Sequence, residues 1–142
     1  MAFPKQRSKY GNQKVYVDGY EFDSRKESRR YIYLKQRQKA GEITGLELQV
    51  SFELVPALYE KSADVYTKGP KKGKQKPGKC IERSVTYVAD FVYTEIEKRP
   101  DGRTVAGAMV AEDVKGMKTK EYIIKRKLFR WLYGDRYEFR EV

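Results

Sequence analysis

Apolar and polar residues alternate strictly between residues 46 and 54, in the stretch LELQVSFEL. A period of two is typical of a β-strand with one buried face, and Pro56 ends the pattern because proline cannot continue a paired strand. Two later strand-like runs, 83–94 and 104–115, flank a Pro-Asp-Gly turn signal at 100–102. We therefore predict a strand over 46–54 and an antiparallel pair formed by the two later runs.

Shorter patterns come before this strand. The stretch KVYVDGYEF (14–22) has two apolar runs around an Asp-Gly pair, which suits a tight turn, so we predict a β-hairpin. Ser24 and Glu27 form the S-x-x-E pattern of a helix start, in which the glutamate side chain bonds back to the serine amide. Because Gly41 is typical of the residue that follows a helix, we predict a helix over 25–40.

The remaining segments give weaker patterns. The Lys-, Gly- and Pro-rich stretch from 61 to 80 offers little to bury and predicts a mobile loop or the tip of a hairpin. Residues 120–133 have the spacing of an amphipathic helix that ends at Gly134. The end of the chain, YEFREV (137–142), alternates again and predicts a last strand at a sheet edge. The predicted inward face of the second helix consists of Ile124, Leu128 and Trp131 or Leu132.

This order of elements predicts the fold class. After the hairpin the chain reads helix, three strands, helix, strand, which is typical of an α/β domain with a mixed sheet. A length of 142 residues fits one domain, and its first 13 residues form a basic N-terminal arm.

Two acidic residues interrupt the apolar runs of the predicted antiparallel pair. If Asp101 and Gly102 are the two turn residues, counting back along both strands places Asp90 directly opposite Asp113. Opposed carboxylates repel each other, so a cation between them is expected. Lys115 lies two residues after Asp113 and therefore projects from the same face. One β-bulge would break this register.

Charge and composition narrow the chemistry. The chain has 31 Lys and Arg against 20 Asp and Glu, a net charge of +11 that favours a nucleic-acid partner. It has no histidine, which excludes Ser-His-Asp hydrolases and histidine-based metal sites. Mg²⁺ and Mn²⁺ are bound through oxygen ligands such as carboxylates. Such a cation with a nearby lysine is suited to phosphodiester hydrolysis.

The same composition predicts a cellular setting. Cys80 is the only cysteine, which suits a reducing compartment, and the start of the chain lacks the apolar stretch of a secretory signal. No apolar run reaches the length of about 18 residues that a membrane span needs. We therefore expect a cytoplasmic protein without a membrane partner.

Two short motifs carry a resemblance. ADF (89–91) followed by DVK (113–115) resembles the PD-(D/E)xK nuclease superfamily, with Ala89 at the usual proline position. The order of elements is similar to the restriction-endonuclease-like core of that superfamily. Blocks over nearly the whole chain also resemble small phage-encoded proteins related to Holliday-junction resolvases and other branched-DNA endonucleases. They are KYGNQKVYVDGYEFDSRKE, LELQVSFELVP, YVADFVY, EDVKGMKTK and YEFREV.

The resemblance implies roles for individual residues. Asp90 and Asp113 correspond to metal ligands and Lys115 to the lysine that orients the attacking water. Glu27 corresponds to a first-helix glutamate that reaches the metal, although its capping-box position gives it a purely structural alternative. The Val114 carbonyl is a further candidate ligand, whereas Glu112 points to the other face of the sheet.

The sequence thus predicts a Mg²⁺- or Mn²⁺-dependent endonuclease that cleaves branched DNA as a homodimer, since resolving a four-way junction needs two symmetric cuts. The alternatives are a non-catalytic DNA-binding or packaging-accessory protein of the same fold and a carboxylate-only nuclease of another fold. Basic residues expected to contact DNA, or else to form solvated surfaces, lie in the 61–80 stretch and near the second helix. They are Lys68, Lys71, Lys72, Lys74, Lys76, Lys118, Lys120, Arg126 and Arg130.

Overall fold

The computed structural model describes residues 13–142, so the basic arm predicted over 1–13 lies almost wholly outside the described residues. These residues form eight strands and two helices. In chain order they are β1 (Val15–Val17), β2 (Tyr20–Phe22), α1 (Arg25–Lys39), β3 (Ile43–Val55), β4 (Leu58–Val65), β5 (Gln75–Glu82), β6 (Val85–Lys98), β7 (Thr104–Asp113), α2 (Lys120–Tyr133) and β8 (Tyr137–Glu141).

A four-stranded mixed sheet forms the centre of the α/β fold, as predicted. Its strand order is β3-β6-β7-β8, with antiparallel pairs except for the parallel pair of β7 and β8. The last strand therefore lies at a sheet edge, as expected. No helix within residues 13–142 combines the length and the apolar character that crossing a bilayer requires.

Local signals fix the start of the fold. Asp18 and Gly19 have φ of 51° and 81°, which the tight β1-β2 turn requires. The Ser24 hydroxyl accepts a hydrogen bond from the Glu27 amide at 3.1 Å and caps α1. Gly41, with φ of 77°, follows the helix end, where its amide donates to the Gln38 carbonyl. The predicted hairpin and first helix are thus confirmed, with the helix ending one residue early.

Two clusters of apolar side chains lie on opposite faces of the sheet. One cluster packs α1 and the β1-β2 hairpin onto the sheet, and the other packs α2 onto the opposite face. We call these the α1 face and the α2 face. The buried residues on the α1 face are Phe22, Tyr31, Leu34, Ile43, Phe91, Tyr93 and Val110. Those on the α2 face are Phe52, Leu54, Tyr87, Ala89, Val92, Ala111, Tyr122 and Phe129.

The strand β3 changes face in its middle, so the prediction of one buried face over 46–54 is wrong. Leu48 packs against the α1 face, whereas Val50 packs against the α2 face, although the two side chains are two residues apart. Gln49 between them has φ of 52°, which reverses the normal alternation. The neighbouring strand switches at the same level, because Ala89 lies on the α2 face and Phe91 on the α1 face.

The inward face of α2 also differs from the prediction. Tyr122 and Phe129 are buried, whereas Ile124 and Trp131 are 61% and 80% exposed. The ring of Phe129 packs edge-on against Phe52 with centroids 4.9 Å apart. The inward face is therefore mainly aromatic, and of the predicted positions Leu128 does pack against this cluster.

Of the two alternatives predicted for residues 61–80, a mobile loop or the tip of a hairpin, the structure shows a hairpin, with more regular structure than expected. Strands β4 and β5 pair with each other in a separate two-stranded sheet, and only residues 66–74 form the tip. A Cβ atom at Gly78 would collide with the Glu60 carbonyl, so this position needs glycine for the strands to approach. We call the whole unit, residues 58–82, the hairpin arm.

A buried ion pair joins α1 to β7. The Arg30 guanidinium donates to both carboxylate oxygens of Glu112, with Nη2 at 2.9 Å from Oε2, and the Tyr93 hydroxyl donates to Oε2 at 2.7 Å. Glu112 is completely buried, on the face opposite to Asp113 as predicted. The pair fixes the position of the helix relative to the strand that carries Asp113.

Breaking this pair on one side should be costly. We predict that Arg30→Met lowers the free energy of unfolding by about 3 kcal/mol, because it leaves a buried carboxylate without its cation. The double variant Arg30→Met with Glu112→Gln should recover part of the loss, since the uncompensated charge is gone. Urea unfolding of the two variants and of Glu112→Gln gives the coupling energy. Additive losses would show that the two side chains do not stabilise each other.

Candidate active site

The antiparallel pair β6-β7 brings Asp90 and Asp113 to the same level. The turn between the strands has three residues, so Lys98 pairs with Thr104, one position away from the predicted register. An irregularity beyond Thr94 adds one residue on β7, and Phe91 pairs with Glu112 as the predicted register requires. The two deviations cancel, and this register extended by one position sets Asp90 opposite Asp113.

Asp90 lies on β6 and bonds to residues on both sides of that strand, from β3 and from the end of β7. Its Oδ2 accepts a hydrogen bond from the Val114 amide at 2.7 Å, and its Oδ1 accepts one from Gln49 Nε2 at 3.3 Å. Burial raises the pKa of Asp90 to about 6, an effect that the Val114 amide opposes and Asp113 adds to. The Val114 backbone thus contacts the acid through its amide, while its carbonyl as a metal ligand stays a prediction.

Asp113 is completely buried at the end of β7. Its Oδ2 accepts a short hydrogen bond of 2.6 Å from the Tyr87 hydroxyl. Its Oδ1 has no hydrogen-bond partner among the described residues, although Lys115 Nζ forms an ion pair with it at 3.1 Å. A buried carboxylate oxygen without an aligned donor is a position at which a cation would lower the free energy.

Glu27 brings a third carboxylate from α1. The side chain is 7% exposed and accepts a hydrogen bond at Oε1 from Gln49 Nε2 at 3.1 Å. Burial first, then the charge of Asp90, raises the pKa of Glu27 to about 7. The hydrogen bonds of the described residues include the Ser24 half of the capping box but not the return bond from Glu27 to the Ser24 amide. The Glu27 carboxylate bonds to Gln49 instead, and a backbone hydrogen bond with Asp23 partly offsets the rise in its pKa.

Lys115 is the cation nearest to Asp113. Its Nζ lies 4.5 Å from the centre of the Tyr122 ring, which places it between β7 and α2. A cleft at this position opens to solvent and is lined by Tyr87, Asp113, Lys115, Tyr122 and Lys125, among others. The cleft lining carries two ammonium groups, from Lys115 and Lys125, and two carboxylates, from Asp113 and Glu121.

The carboxylates of Glu27, Asp90 and Asp113 lie near one another but are not arranged as the ligands of one metal ion. Among residues 13–142, no three Asp, Glu, Cys or His side chains are close enough together to hold a metal ion as they stand. The chemistry of the three acids nevertheless fits a hard cation, because the charge of Asp90 raises the pKa of Glu27, the charge of Asp113 raises the pKa of Asp90, and Asp113 Oδ1 lacks an aligned donor.

Two residues of the site escaped the sequence analysis. Tyr87 reads as one more apolar position of β6, and only its hydroxyl bond to Asp113 reveals its place in the site. Gln49 reads as one polar residue of an alternating strand, and nothing in the sequence signals its positive φ. The contacts of Tyr87 with Asp113 and of Gln49 with Glu27 and Asp90 join residues far apart in the chain. Local sequence patterns therefore do not predict them.

The basic residues predicted to contact DNA fall into different environments. Lys118 pairs with Glu141 at 2.8 Å, and Arg126 pairs with the same carboxylate, so these charges are partly compensated. Lys120 is exposed, and the exposed Arg130 stacks over the Phe139 ring at 5.0 Å. The lysines of the hairpin arm are exposed: Lys68, Lys71, Lys72, Lys74 and Lys76.

The raised pKa values predict how stability depends on pH. The folded protein binds protons at Glu27 and Asp90 more tightly than the unfolded chain, where these groups titrate near 4.5 and 3.8. The stability that their protonation supports is therefore complete in acid and is lost as the pH rises through about 6 to 7. Without divalent metal, we expect a lower melting temperature at pH 8 than at pH 5.

The variant Glu27→Gln should flatten this dependence and melt higher than the parent at pH 8, because it removes one repelling charge. Glu47→Gln removes an exposed acid of the same sheet and should leave the pH profile unchanged. Parallel profiles for the parent and Glu27→Gln, measured in EDTA, would contradict the repulsion between the site acids.

The comparisons with known proteins identify a family. No curated protein and no solved structure matches the chain. One family model, described as "Protein of unknown function (DUF1064)", matches residues 7–140. The match includes every residue of the candidate site, from the glutamate of α1 to the lysine after β7. Since it spans nearly the whole length, the chain belongs to the DUF1064 family.

Proposed function

We propose that the protein is a Mg²⁺- or Mn²⁺-dependent endonuclease that cleaves branched DNA, with a restriction-endonuclease-like core. The observation that carries this proposal is the convergence of Glu27, Asp90 and Asp113, with Lys115 beside them, at one level of the central sheet. Buried acids with raised pKa values, such as Glu27 and Asp90, are typical of functional sites. The strongly positive net charge adds support, since it favours a polyanionic substrate.

Each residue has a role in the proposed reaction. Glu27, Asp90 and Asp113 would hold the cation, with the Val114 carbonyl as a further candidate ligand. When bound, the cation supplies a Lewis acid that polarises the scissile phosphate. Lys115 would hold the attacking water or donate to a phosphate oxygen, and its ion pair with Asp113 fixes its ammonium group. Tyr87 keeps Asp113 oriented through its hydroxyl.

The hairpin arm joins the sheet at the end that lies nearer to these residues. Asp90 is five residues from the start of β6, or about 17 Å, and the arm ends just before that strand. The β6-β7 turn lies in the other direction, eight residues beyond Asp90 at Lys98, or about 26 Å. The base of the hairpin arm is therefore nearer to Asp90 along β6 than the β6-β7 turn is.

Branched DNA and a homodimer complete the proposal. Resolution of a four-way junction needs two cuts related by symmetry, which a pair of identical subunits supplies. The site described in one chain supplies one cut.

Removal of either aspartate should abolish cleavage. We predict that Asp90→Asn and Asp113→Asn lose cleavage of a four-way junction in Mg²⁺ or Mn²⁺ by at least about a thousandfold, because each loses a metal ligand. Binding of the same junction should change little. Gel-based cleavage and binding assays test both statements.

Asp135→Asn is the matched control, since Asp135 is exposed at the end of α2. Cleavage by Asp90→Asn at the parental rate would show that the proposed metal site is wrong. Binding without cleavage by the parent protein would instead favour a DNA-binding protein without activity.

The arm should contribute to DNA affinity through its charge. We predict that the triple variant Lys71→Gln, Lys72→Gln, Lys74→Gln binds all DNAs more weakly. Its slope of log K against log salt should fall by about 0.9 for each phosphate that the arm no longer neutralises. Replacing Lys98, Arg99 and Arg103 of the β6-β7 turn with glutamine removes the same charge at the far end of the sheet. Equal slopes for the two variants would show that the arm acts only through net charge.

A further inference from the structure

Gln49 lies between two of the site acids. A single atom, its Nε2, is 3.1 Å from Glu27 Oε1 and 3.3 Å from Asp90 Oδ1. A side-chain amide has two N–H donors, so it can satisfy one oxygen of each carboxylate at the same time. The amide hydrogens thus occupy the space between two acids in which a cation would otherwise lie.

The backbone of Gln49 is specialised for this placement. Among residues 13–142, only Asp18 and Gln49 are non-glycine residues with positive φ. The turn between β1 and β2 accounts for Asp18, whereas Gln49 lies in the middle of a long strand. A conformation of this kind persists only when the surrounding structure fixes it, and such residues cluster at functional sites.

The Gln49 amide lies on the solvent side of the two acids that it contacts. Gln49 is exposed, whereas Glu27 is nearly completely buried, so the amide covers the acids from the solvent side. The ion pair of Lys115 is with Asp113 and lies next to α2. Gln49 is the side chain among the described residues that donates to both Glu27 and Asp90.

We propose that Gln49 is a placeholder for the cation: its amide holds Glu27 and Asp90 together in the metal-free protein, and a divalent ion must displace it to bind. Gln49 is thus a positioning residue. The proposal rests on the metal site assigned above and explains why the acids do not form a finished metal centre without an ion. It also explains why Gln49, an exposed residue in the middle of β3, has a positive φ.

The test compares Gln49→Leu with the parent. Leucine has a similar size but no donors, so in EDTA the variant should melt at a lower temperature because the two acids lose their shared partner. Calorimetric titration with Mn²⁺ alone should give a dissociation constant about 2- to 10-fold lower than that of the parent. This range corresponds to the loss of one net hydrogen bond that the ion must break.

Two further variants make the test specific. Gln49→Asn keeps the amide and tolerates positive φ, but it is one methylene too short to reach both acids, so it should also bind Mn²⁺ more tightly. Gln36→Leu changes an exposed glutamine of α1 and should alter neither quantity.

The outcomes separate this proposal from the proposed function. Weaker Mn²⁺ binding by Gln49→Leu and Gln49→Asn would overturn the placeholder, because it would make the glutamine a ligand. Unchanged melting and unchanged affinity would overturn it by showing that Gln49 is a bystander. A parent protein that does not bind Mn²⁺ would contradict the proposed function. The melting temperature of Gln49→Leu in EDTA would then still decide whether the amide holds the acids together.

Discussion

The charges of Glu27, Asp90 and Asp113 repel one another, so the structure around them must hold these acids together against that repulsion. The acids come from a helix and two strands, and burial together with their mutual charge raises the pKa of Glu27 to about 7. A protein gains no stability from such an arrangement. The elements around it compensate: the Arg30–Glu112 pair fixes α1 to β7, Tyr87 holds Asp113, and Gln49 bridges the other two acids.

The face change of β3 and β6 connects this constraint to the fold. Both strands reverse their alternation at the level of Gln49 and Asp90, so residues on either side of that level pack against different helices. An acid at the reversal point can therefore meet a glutamate from α1 and an aspartate from the α2 face. A regularly pleated sheet would separate these side chains by its own thickness.

Local signals explain what could be predicted from the sequence. The Asp18-Gly19 turn, the Ser24 cap and the glycine after α1 each depend on a few neighbouring residues, and all three are confirmed. The level of Asp90 and Asp113 is also as predicted, although only because the bulge in β7 offsets a longer turn. Long-range effects escaped prediction. The inward face of α2 depends on rings such as Phe52 from a distant strand, and the positive φ of Gln49 has no sequence signal.

Titration of the site carboxylates by ¹³C NMR, with and without Mg²⁺, measures the repulsion among them and its relief by a cation. Glu27 should titrate near pH 7 in the metal-free protein, and Mg²⁺ should move this titration to lower pH, because the cation offsets the repulsion. An ordinary titration near pH 4.5 without metal, or one that Mg²⁺ does not change, would contradict this repulsion and its relief.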